Sequence, residues 1–116
     1  MAGNADSYER EVIFNDGISE IVRIKWPPCS KSEPHDHGVS IGLTKVTGGL
    51  VFERIYDRAR RDFVIQNTYV AGDIFNEWKD MIHIMGNLSN TEWAETYHIY
   101  IPPLQMKMYQ IEELCG

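Results

Sequence analysis

The segment HDHGVSIGLTKVTGGLVFERIY, from His35 to Tyr56, decides the fold class of this chain. Its two arms are rich in β-branched and aromatic residues, which favour extended strands. Gly48-Gly49 between the arms is a hairpin signal. We therefore predict one extended run from His35 to Val46 and a return strand from Leu50 to Tyr56.

Similar extended runs occupy most of the remaining chain. Apolar residues alternate with charged ones between Glu20 and Trp26, which predicts a half-buried strand that ends at Pro27-Pro28. Further strands are predicted at Phe63 to Val70, Ile74 to Trp78, Met81 to Met85 and Glu95 to Ile101. Only the tails, Ala5 to Arg10 and Leu104 to Leu114, have a weak helical pattern. Short strands separated by turn signals predict an all-β sandwich or barrel, and a jelly roll satisfies this description.

Length and composition limit the class of protein. The 116 residues predict a single domain, with a short segment 1–10, a barrel from about 11 to 104 and a tail 105–116. The net charge of −6 argues against a nucleic-acid or anionic membrane partner. The sequence has no signal-peptide pattern and no apolar stretch long enough for a membrane span, and Cys29 and Cys115 suggest no disulfide framework. A cytoplasmic location is therefore expected.

Three histidines form the strongest chemical pattern. His35 and His37 are two residues apart, so an extended strand would place both imidazoles on one face, and His83 follows 46 residues after His37. If the strand has no bulge, this face continues through Val39, Ile41 and Leu43, and the histidines point into the barrel. Three protein ligands leave coordination positions open, which is typical of a catalytic metal.

A carboxylate could replace one histidine in such a ligand set, but no obvious candidate is present in the sequence. Imidazole suits zinc, copper, iron and nickel. Asp36 lies between the two histidines and would face the other way, so Glu53 is the nearest alternative carboxylate. An all-histidine set of three neutral ligands is the simpler hypothesis.

A second pattern is the row Thr96, His98 and Tyr100, which places three hydrogen-bonding side chains on one strand face. If this face points inward, the Thr96 hydroxyl would orient His98, which would bond Tyr100. The alternative is that this face is exposed to solvent, while the opposite face with Tyr97 and Ile99 forms the core. The pattern alone leaves both interpretations open.

A third candidate is the pair Tyr8 and Arg10. The planar guanidinium of an arginine can bind both oxygens of a carboxylate. Near a chain end, however, an arginine is more often a surface charge. The residues alone do not separate these two interpretations.

Taken in order, these motifs resemble those of the cysteine dioxygenase family, whose members are thiol dioxygenases of the cupin superfamily. The resemblance covers roughly Tyr8 to Leu104 and implies a small double-stranded β-helix with little helix. The matching motifs are Tyr8-x-Arg10, Pro34-His35-Asp36-His37-Gly38, His83-x3-Asn87-x-Ser89 and Thr96-x-His98-x-Tyr100-x-Pro102-Pro103.

The resemblance also implies an activity and a cofactor. His35, His37 and His83 would bind one ferrous iron. L-Cysteine and dioxygen would react there to give cysteine sulfinate, with both oxygen atoms on the sulfur and no external reductant. Small thiols such as 3-mercaptopropionate, mercaptosuccinate or cysteamine are alternative substrates. Outside this chemistry, the alternatives are a non-catalytic cupin that binds a metal or small molecule, and a metal-dependent isomerase or decarboxylase.

Further roles are implied residue by residue. Arg10 would hold the substrate carboxylate with Tyr8 lining the same pocket, and Tyr100, positioned by Thr96 and His98, would hydrogen-bond near substrate or oxygen. Relatives that act on 3-mercaptopropionate tend to carry glutamine in place of this arginine, so Arg10 favours cysteine.

Two features depart from the family pattern. Gly42 stands where some members carry a cysteine that crosslinks to the tyrosine matching Tyr100, so no crosslink is predicted. The short ends of the chain would leave barrel edges exposed, which keeps pairing with a second copy of the chain open.

Overall fold

The computed structural model describes residues 8–57, 59–60, 62–77 and 81–104, and the backbone of 107–108. These residues form ten strands and no helix, and no helix that could span a membrane is found among them. The strands are β1 (Glu9–Asn15), β2 (Glu20–Trp26), β3 (His35–Asp36), β4 (Ile41–Gly48), β5 (Leu50–Tyr56), β6 (Phe63–Val70), β7 (Ile74–Glu77), β8 (Ile82–Asn87), β9 (Ala94–Ile101) and β10 (Lys107–Met108).

The strands form two five-stranded antiparallel sheets. One has the order β1-β2-β9-β4-β7 and the other β10-β3-β8-β5-β6. The apolar core includes Val22 and Trp26 from the first sheet and Val51 and Met85 from the second, so the sheets pack face to face. The all-β prediction is confirmed.

The alternation in β2 has the predicted structural effect. Val22, Ile24 and Trp26 are buried, whereas Arg23 and Lys25 between them are only partly buried. Elsewhere in the interior, buried polar side chains are as numerous as buried apolar ones. Because polar groups cost free energy when buried without partners, this polar interior requires a network of contacts or a bound ion.

The prediction of one continuous strand from His35 to Val46 is wrong. β3 ends at Asp36 and β4 begins at Ile41, and the two strands belong to different sheets. Gly38 adopts a positive φ of 60°, and the Ser40 N–H donates to the His37 carbonyl at 3.0 Å. A tight turn therefore carries the chain from one sheet to the other.

This turn also breaks the predicted shared face. His35 and His37 are buried, but Val39 is 67% exposed, and Ile41 and Leu43 are exposed as well. Side-chain alternation persists only within one strand, so it does not continue across a turn at Gly38. The histidines point inward, as expected, without an apolar row beside them.

The helical predictions for the tails are also wrong wherever the structure describes them. Glu9 and Arg10 belong to β1, and Lys107–Met108 forms β10, so strand pairing overrides the weak helical pattern. Residues 1–7, 105–106 and 109–116, including Cys115, lie outside the described residues, as does Trp78 at the end of one predicted strand.

Candidate metal centre

The three predicted ligands meet inside the barrel. His35 in β3 and His83 in β8 are directly paired across the sheet, and His37 lies in the turn that follows β3. One ligand atom from each imidazole lies within 4.8 Å of the others, and all three side chains are buried. The structure therefore brings together the three histidines that are far apart in sequence.

Hydrogen bonds orient two of these imidazoles. His35 Nδ1 lies 2.7 Å from the Glu33 carbonyl oxygen, and His83 Nδ1 lies 2.8 Å from Glu53 Oε2. The Glu33 carbonyl can only accept, so His35 Nδ1 carries the proton and its Nε2 presents a lone pair, and His83 has the same arrangement when Glu53 is ionised. Such outer partners commonly fix the ring orientation of histidines that bind metals.

The two Nε2 atoms then face each other. His35 Nε2 and His83 Nε2 are 3.0 Å apart inside the protein. Two lone pairs at this distance repel each other unless a cation lies between them. Nitrogen ligands about 2.1 Å from one ion lie about 3.0–3.4 Å apart at angles of 90–110°, so the observed separation fits shared coordination.

Burial keeps these imidazoles neutral. It lowers the pKa of His35 to about 4 and, together with the neighbouring His35 and His37, holds the pKa of His83 well below its usual range. Metal binding requires the neutral form of histidine, so both ligands are ready at neutral pH without losing a proton. His35 and His83 thus fit a metal ion by position, orientation and charge, and His37 fits by position.

Glu77, at the end of β7, is a site residue that the sequence did not reveal. Its Oε1 lies 2.8 Å from His37 Nε2 and 3.7 Å from His83 Nε2, and its Oε2 lies 2.7 Å from His98 Nδ1. Burial raises the pKa of this carboxyl, but the facing histidines, His98 first, outweigh burial and hold the pKa well below its usual range. An ionised carboxylate therefore borders the three histidines.

Glu53, the carboxylate suggested by the sequence, has a different place. It contacts Nδ1 of His83, on the side of the ring away from the other histidines, and the Tyr69 hydroxyl donates to Glu53 Oε1 at 3.4 Å. Burial and then the charge of Glu77 raise the pKa of Glu53 to about 7. Glu53 thus supports a ligand from behind.

The row Thr96, His98 and Tyr100 faces the interior. All three side chains are buried, whereas Ile99 and Ile101 on the opposite face are 41% and 50% exposed. The interpretation of this row as a solvent face is therefore wrong. Strand β9 belongs to the first sheet, whereas β3 and β8, which carry His35 and His83, belong to the second. The inward-facing row on β9 therefore points toward the metal centre from the opposite sheet.

The expected contacts along this row are present. The Trp26 indole N–H donates to Thr96 Oγ1 at 2.9 Å, and Thr96 Oγ1 lies 2.7 Å from His98 Nε2. The Tyr100 hydroxyl lies 3.2 Å from His98 Nδ1 and donates to Glu77 Oε1 at 3.1 Å. The row therefore ends at Glu77, a contact that the sequence did not predict.

Arg10 and Tyr8 lie at the mouth of the same cavity. Its lining includes Tyr8, Arg10, Trp26, His35, Glu77, His83, His98, Tyr100 and Leu104. Tyr8, Arg10 and Leu104 are the partly exposed members, and the enclosed volume is about 20 Å3. The predicted substrate residues and two of the histidines thus share one small cavity.

Glu20 is a second residue that sequence reasoning missed. Arg10 Nη2 lies 4.0 Å from Glu20 Oε1, and the same oxygen accepts a hydrogen bond from the Leu104 N–H at 3.0 Å. This carboxylate is buried at the start of β2 and lies beside the guanidinium. A charged residue at the first position of an alternating strand gave no signal of this role.

Comparisons with known proteins agree with this geometry. The family model described as cysteine dioxygenase type I matches residues 4–111. Among solved structures, an uncharacterized conserved protein with a double-stranded β-helix domain from Klebsiella pneumoniae subsp. pneumoniae is 17% identical, with a TM-score of 0.76, 90% of this chain covered and 86% of the other.

Two further structures share the architecture. Peruvianin-I, a cysteine peptidase from Thevetia peruviana latex, has a TM-score of 0.77 at 15% identity, covering 91% of this chain and 69% of its own. The cupin domain of Schizosaccharomyces pombe Cnp3 has a TM-score of 0.68 at 9% identity, covering 83% of this chain and 61% of its own. At these identities the likeness concerns the fold alone, and it confirms the predicted double-stranded β-helix.

Proposed function

Because the chain belongs to the cysteine dioxygenase type I family, we propose that it is an iron-dependent thiol dioxygenase that converts L-cysteine to cysteine sulfinate. The main support is that Arg10, Tyr100, His35 and His83 line one cavity. Both atoms of one dioxygen molecule are added to the sulfur. The sulfur loses four electrons and the dioxygen gains four, so no external reductant is required.

His35, His37 and His83 would hold the metal. When bound, ferrous iron would supply stabilisation of the substrate thiolate and the electron transfer that dioxygen needs. The chain contributes neutral, oriented imidazoles to this step. Burial keeps His35 neutral, and the hydrogen bonds of His35 and His83 through Nδ1 direct their Nε2 atoms inward.

Arg10 would bind the substrate carboxylate. Arg10 lines the cavity, and its guanidinium lies 4.0 Å from the buried Glu20 carboxylate. A volume of about 20 Å3 holds roughly one water molecule, so binding of cysteine would require some of the lining side chains to rearrange.

Tyr100 would act as a hydrogen-bond donor beside the substrate. Burial and then the Glu77 carboxylate raise the pKa of this phenol well above its usual value, so the hydroxyl keeps its proton at neutral pH. Thr96 and His98 are positioning residues, since the Trp26–Thr96–His98 hydrogen bonds hold the row in one arrangement.

Oxygen consumption tests this proposal directly. The protein is loaded anaerobically with ferrous iron, and oxygen uptake is followed with L-cysteine, 3-mercaptopropionate, cysteamine and no thiol. We expect the fastest uptake with L-cysteine, with one sulfinate formed per oxygen molecule. Bound iron without thiol-dependent uptake would contradict the proposal and favour a cupin that only binds metal.

Arg10→Ala tests the choice of substrate. Without the guanidinium, turnover of L-cysteine should fall by at least 10-fold, because a charge-assisted bond of about 1.5–3 kcal/mol is lost, whereas cysteamine has no carboxylate and should be spared. Arg23→Ala is the matched control, since Arg23 pairs with Glu11 and Glu95 outside the cavity. An equal loss with both thiols would contradict the assigned role of Arg10.

A cytoplasmic location and pairing with a second copy of the chain remain proposals. Cys29 is an exposed free thiol, which is compatible with a reducing compartment. Small thiols and dioxygen are the proposed partners, and the negative net charge continues to argue against nucleic acid and anionic membranes.

A further inference from the structure

The place of Glu77 has a consequence for the metal centre. Its side chain is 1% exposed, and its Oε1 is directed at the Nε2 atoms of His37 and His83. Glu53, the other buried carboxylate nearby, contacts only the Nδ1 side of His83 among these histidines. Glu77 therefore borders the same space as the inward lone pairs, and Glu53 does not.

The distances fit a fourth ligand. Glu77 Oε1 is 2.8 Å from His37 Nε2 and 3.7 Å from His83 Nε2, and His35 Nε2 is 3.0 Å from His83 Nε2. Ligand atoms about 2.1 Å from one ion lie about 3.0–3.4 Å from their neighbours. One of these separations is within this range, one is slightly shorter and one is longer, and the ligand atoms of the three histidines lie within 4.8 Å of one another. Glu77 Oε1 therefore lies where a further ligand of the same ion is expected.

The partners of Glu77 point the same way. Within the described residues, its carboxylate oxygens contact His37, His83, His98 and the Tyr100 hydroxyl. Carboxylate oxygen and imidazole nitrogen are both common ligands of divalent ions. Glu77 and the neighbouring histidines therefore form one compatible set of ligands.

The sheet provides the room for this carboxylate. Gly42 in β4 is paired with Glu77 on one side and with Tyr100 on the other, and it faces inward like them. A Cβ atom at Gly42 would lie 2.8 Å from Tyr100 Cε1 and 3.3 Å from Glu77 Cβ. The missing side chain lets Glu77 and Tyr100 approach each other beneath the histidines.

We infer that Glu77 is a fourth protein ligand, so that the ion is held by three histidines and one carboxylate. This inference rests on the metal site of the proposed function. Three protein ligands leave three positions of an octahedral ion for other ligands, whereas four leave two. Glu77 therefore limits how many groups of a substrate can bind the ion together with dioxygen.

Cobalt binding tests this inference without reference to activity. The full chain is titrated with Co2+ against a competing chelator, and the visible absorption of the bound ion is recorded for the wild type, Glu77→Gln and the control Glu53→Gln. We expect Glu77→Gln to weaken binding by more than about 100-fold and to shift the absorption bands. Glu53→Gln should weaken binding by about 10-fold and leave the bands in place, because it alters only the support of a ligand.

The outcomes separate this inference from the proposed function. If the wild type binds no Co2+, both are overturned. If it binds Co2+ and Glu77→Gln has unchanged affinity and bands, the fourth ligand is overturned and the three-histidine site stands. If Glu77→Gln fails to fold, a crystal structure of the Co2+-loaded wild type decides, since a ligand requires a Glu77 oxygen about 2.2 Å from the ion and a distance beyond about 3 Å excludes it.

Discussion

Replacing Gly42 with alanine tests the packing between the metal centre and the row on β9. The new Cβ would meet Tyr100 Cε1 at 2.8 Å and Cδ1 at 2.9 Å, closer than real Cβ contacts allow. Tyr100 cannot simply swing away, because its ring is 4% exposed and its hydroxyl donates to Glu77. The substitution therefore has to displace the ring, the strand or both.

The expected loss in the free energy of unfolding follows from overpacking. Inserting a methyl group into a filled interior costs about 1–3 kcal/mol. Unfolding entropy of about 2.1 cal/mol/K per residue gives roughly 0.24 kcal/mol/K for 116 residues, so the melting temperature should fall by about 4–12 °C. Alanine also reduces the entropy of the unfolded chain, which offsets about 0.4–1 kcal/mol of this loss.

Thermal unfolding of the metal-free protein, followed by circular dichroism, measures this effect. Gly48→Ala is the matched control, because Gly48 lies in the same strand and its added Cβ would have no neighbour within 4 Å. We expect the control to leave the melting temperature unchanged or to raise it by up to about 4 °C, because without a clash only the effect on the unfolded chain, about 0.4–1 kcal/mol, remains. Equal melting temperatures for the two variants would refute the packing argument at Gly42.

Three further predictions concern the surroundings of the site. Glu53→Gln should weaken Zn2+ binding by about 10-fold in a chelator competition, since it weakens the partner of His83 Nδ1, and an unchanged affinity would contradict this. Asn87→Ala should lower the free energy of unfolding in urea by at least about 2 kcal/mol. The Asn87 amide donates to the Trp26 and Glu92 carbonyls and accepts from the Ser89 N–H, and all three bonds would be lost. A loss below about 1 kcal/mol would argue against this bridge. Burial lowers the pKa of His35 to about 4, against about 6.5 in the unfolded chain, so the unfolded state binds the proton first and His35 contributes a loss of about 3 kcal/mol in the metal-free protein as pH falls from about 6.5 to 4. The raised pKa of Glu53 acts in the opposite direction, so the measurement is the difference between the wild type and His35→Gln in urea unfolding across this pH range, and an equal pH dependence of the two would contradict this contribution.

The sequence predicted those parts of the site that depend on local periodicity or on a matching motif. Alternation in β2 identified the buried face of Val22 and Trp26, because side chains of one strand point to opposite sides. The same rule grouped Thr96 with His98 and Tyr100, although only the structure decided that this face is the inner one. Motif order then linked His83 to His35 and His37 across the chain.

Prediction failed where the chain changes direction. Gly38 belongs to a recognised motif, but neither its positive φ nor the turn to a second sheet follows from that motif, so the predicted strand from His35 to Val46 is too long. The weak helical pattern at Glu9 and Arg10 is likewise overridden, because those residues pair with β2. Local propensity is a weaker determinant than the hydrogen bonds and burial of a neighbouring strand.

The sequence by itself determined the all-β class, the three histidines and the hydrogen-bonding row, since each follows from residue spacing within a strand or from the order of motifs. Only the tertiary structure decided that Glu77 joins the histidines and that Glu53 supports one of them from behind. Glu77 reaches the site because β7 pairs with β4 in a register that places it beside Gly42. Such a register depends on contacts between strands that are distant in sequence, and no pattern within a single strand records it.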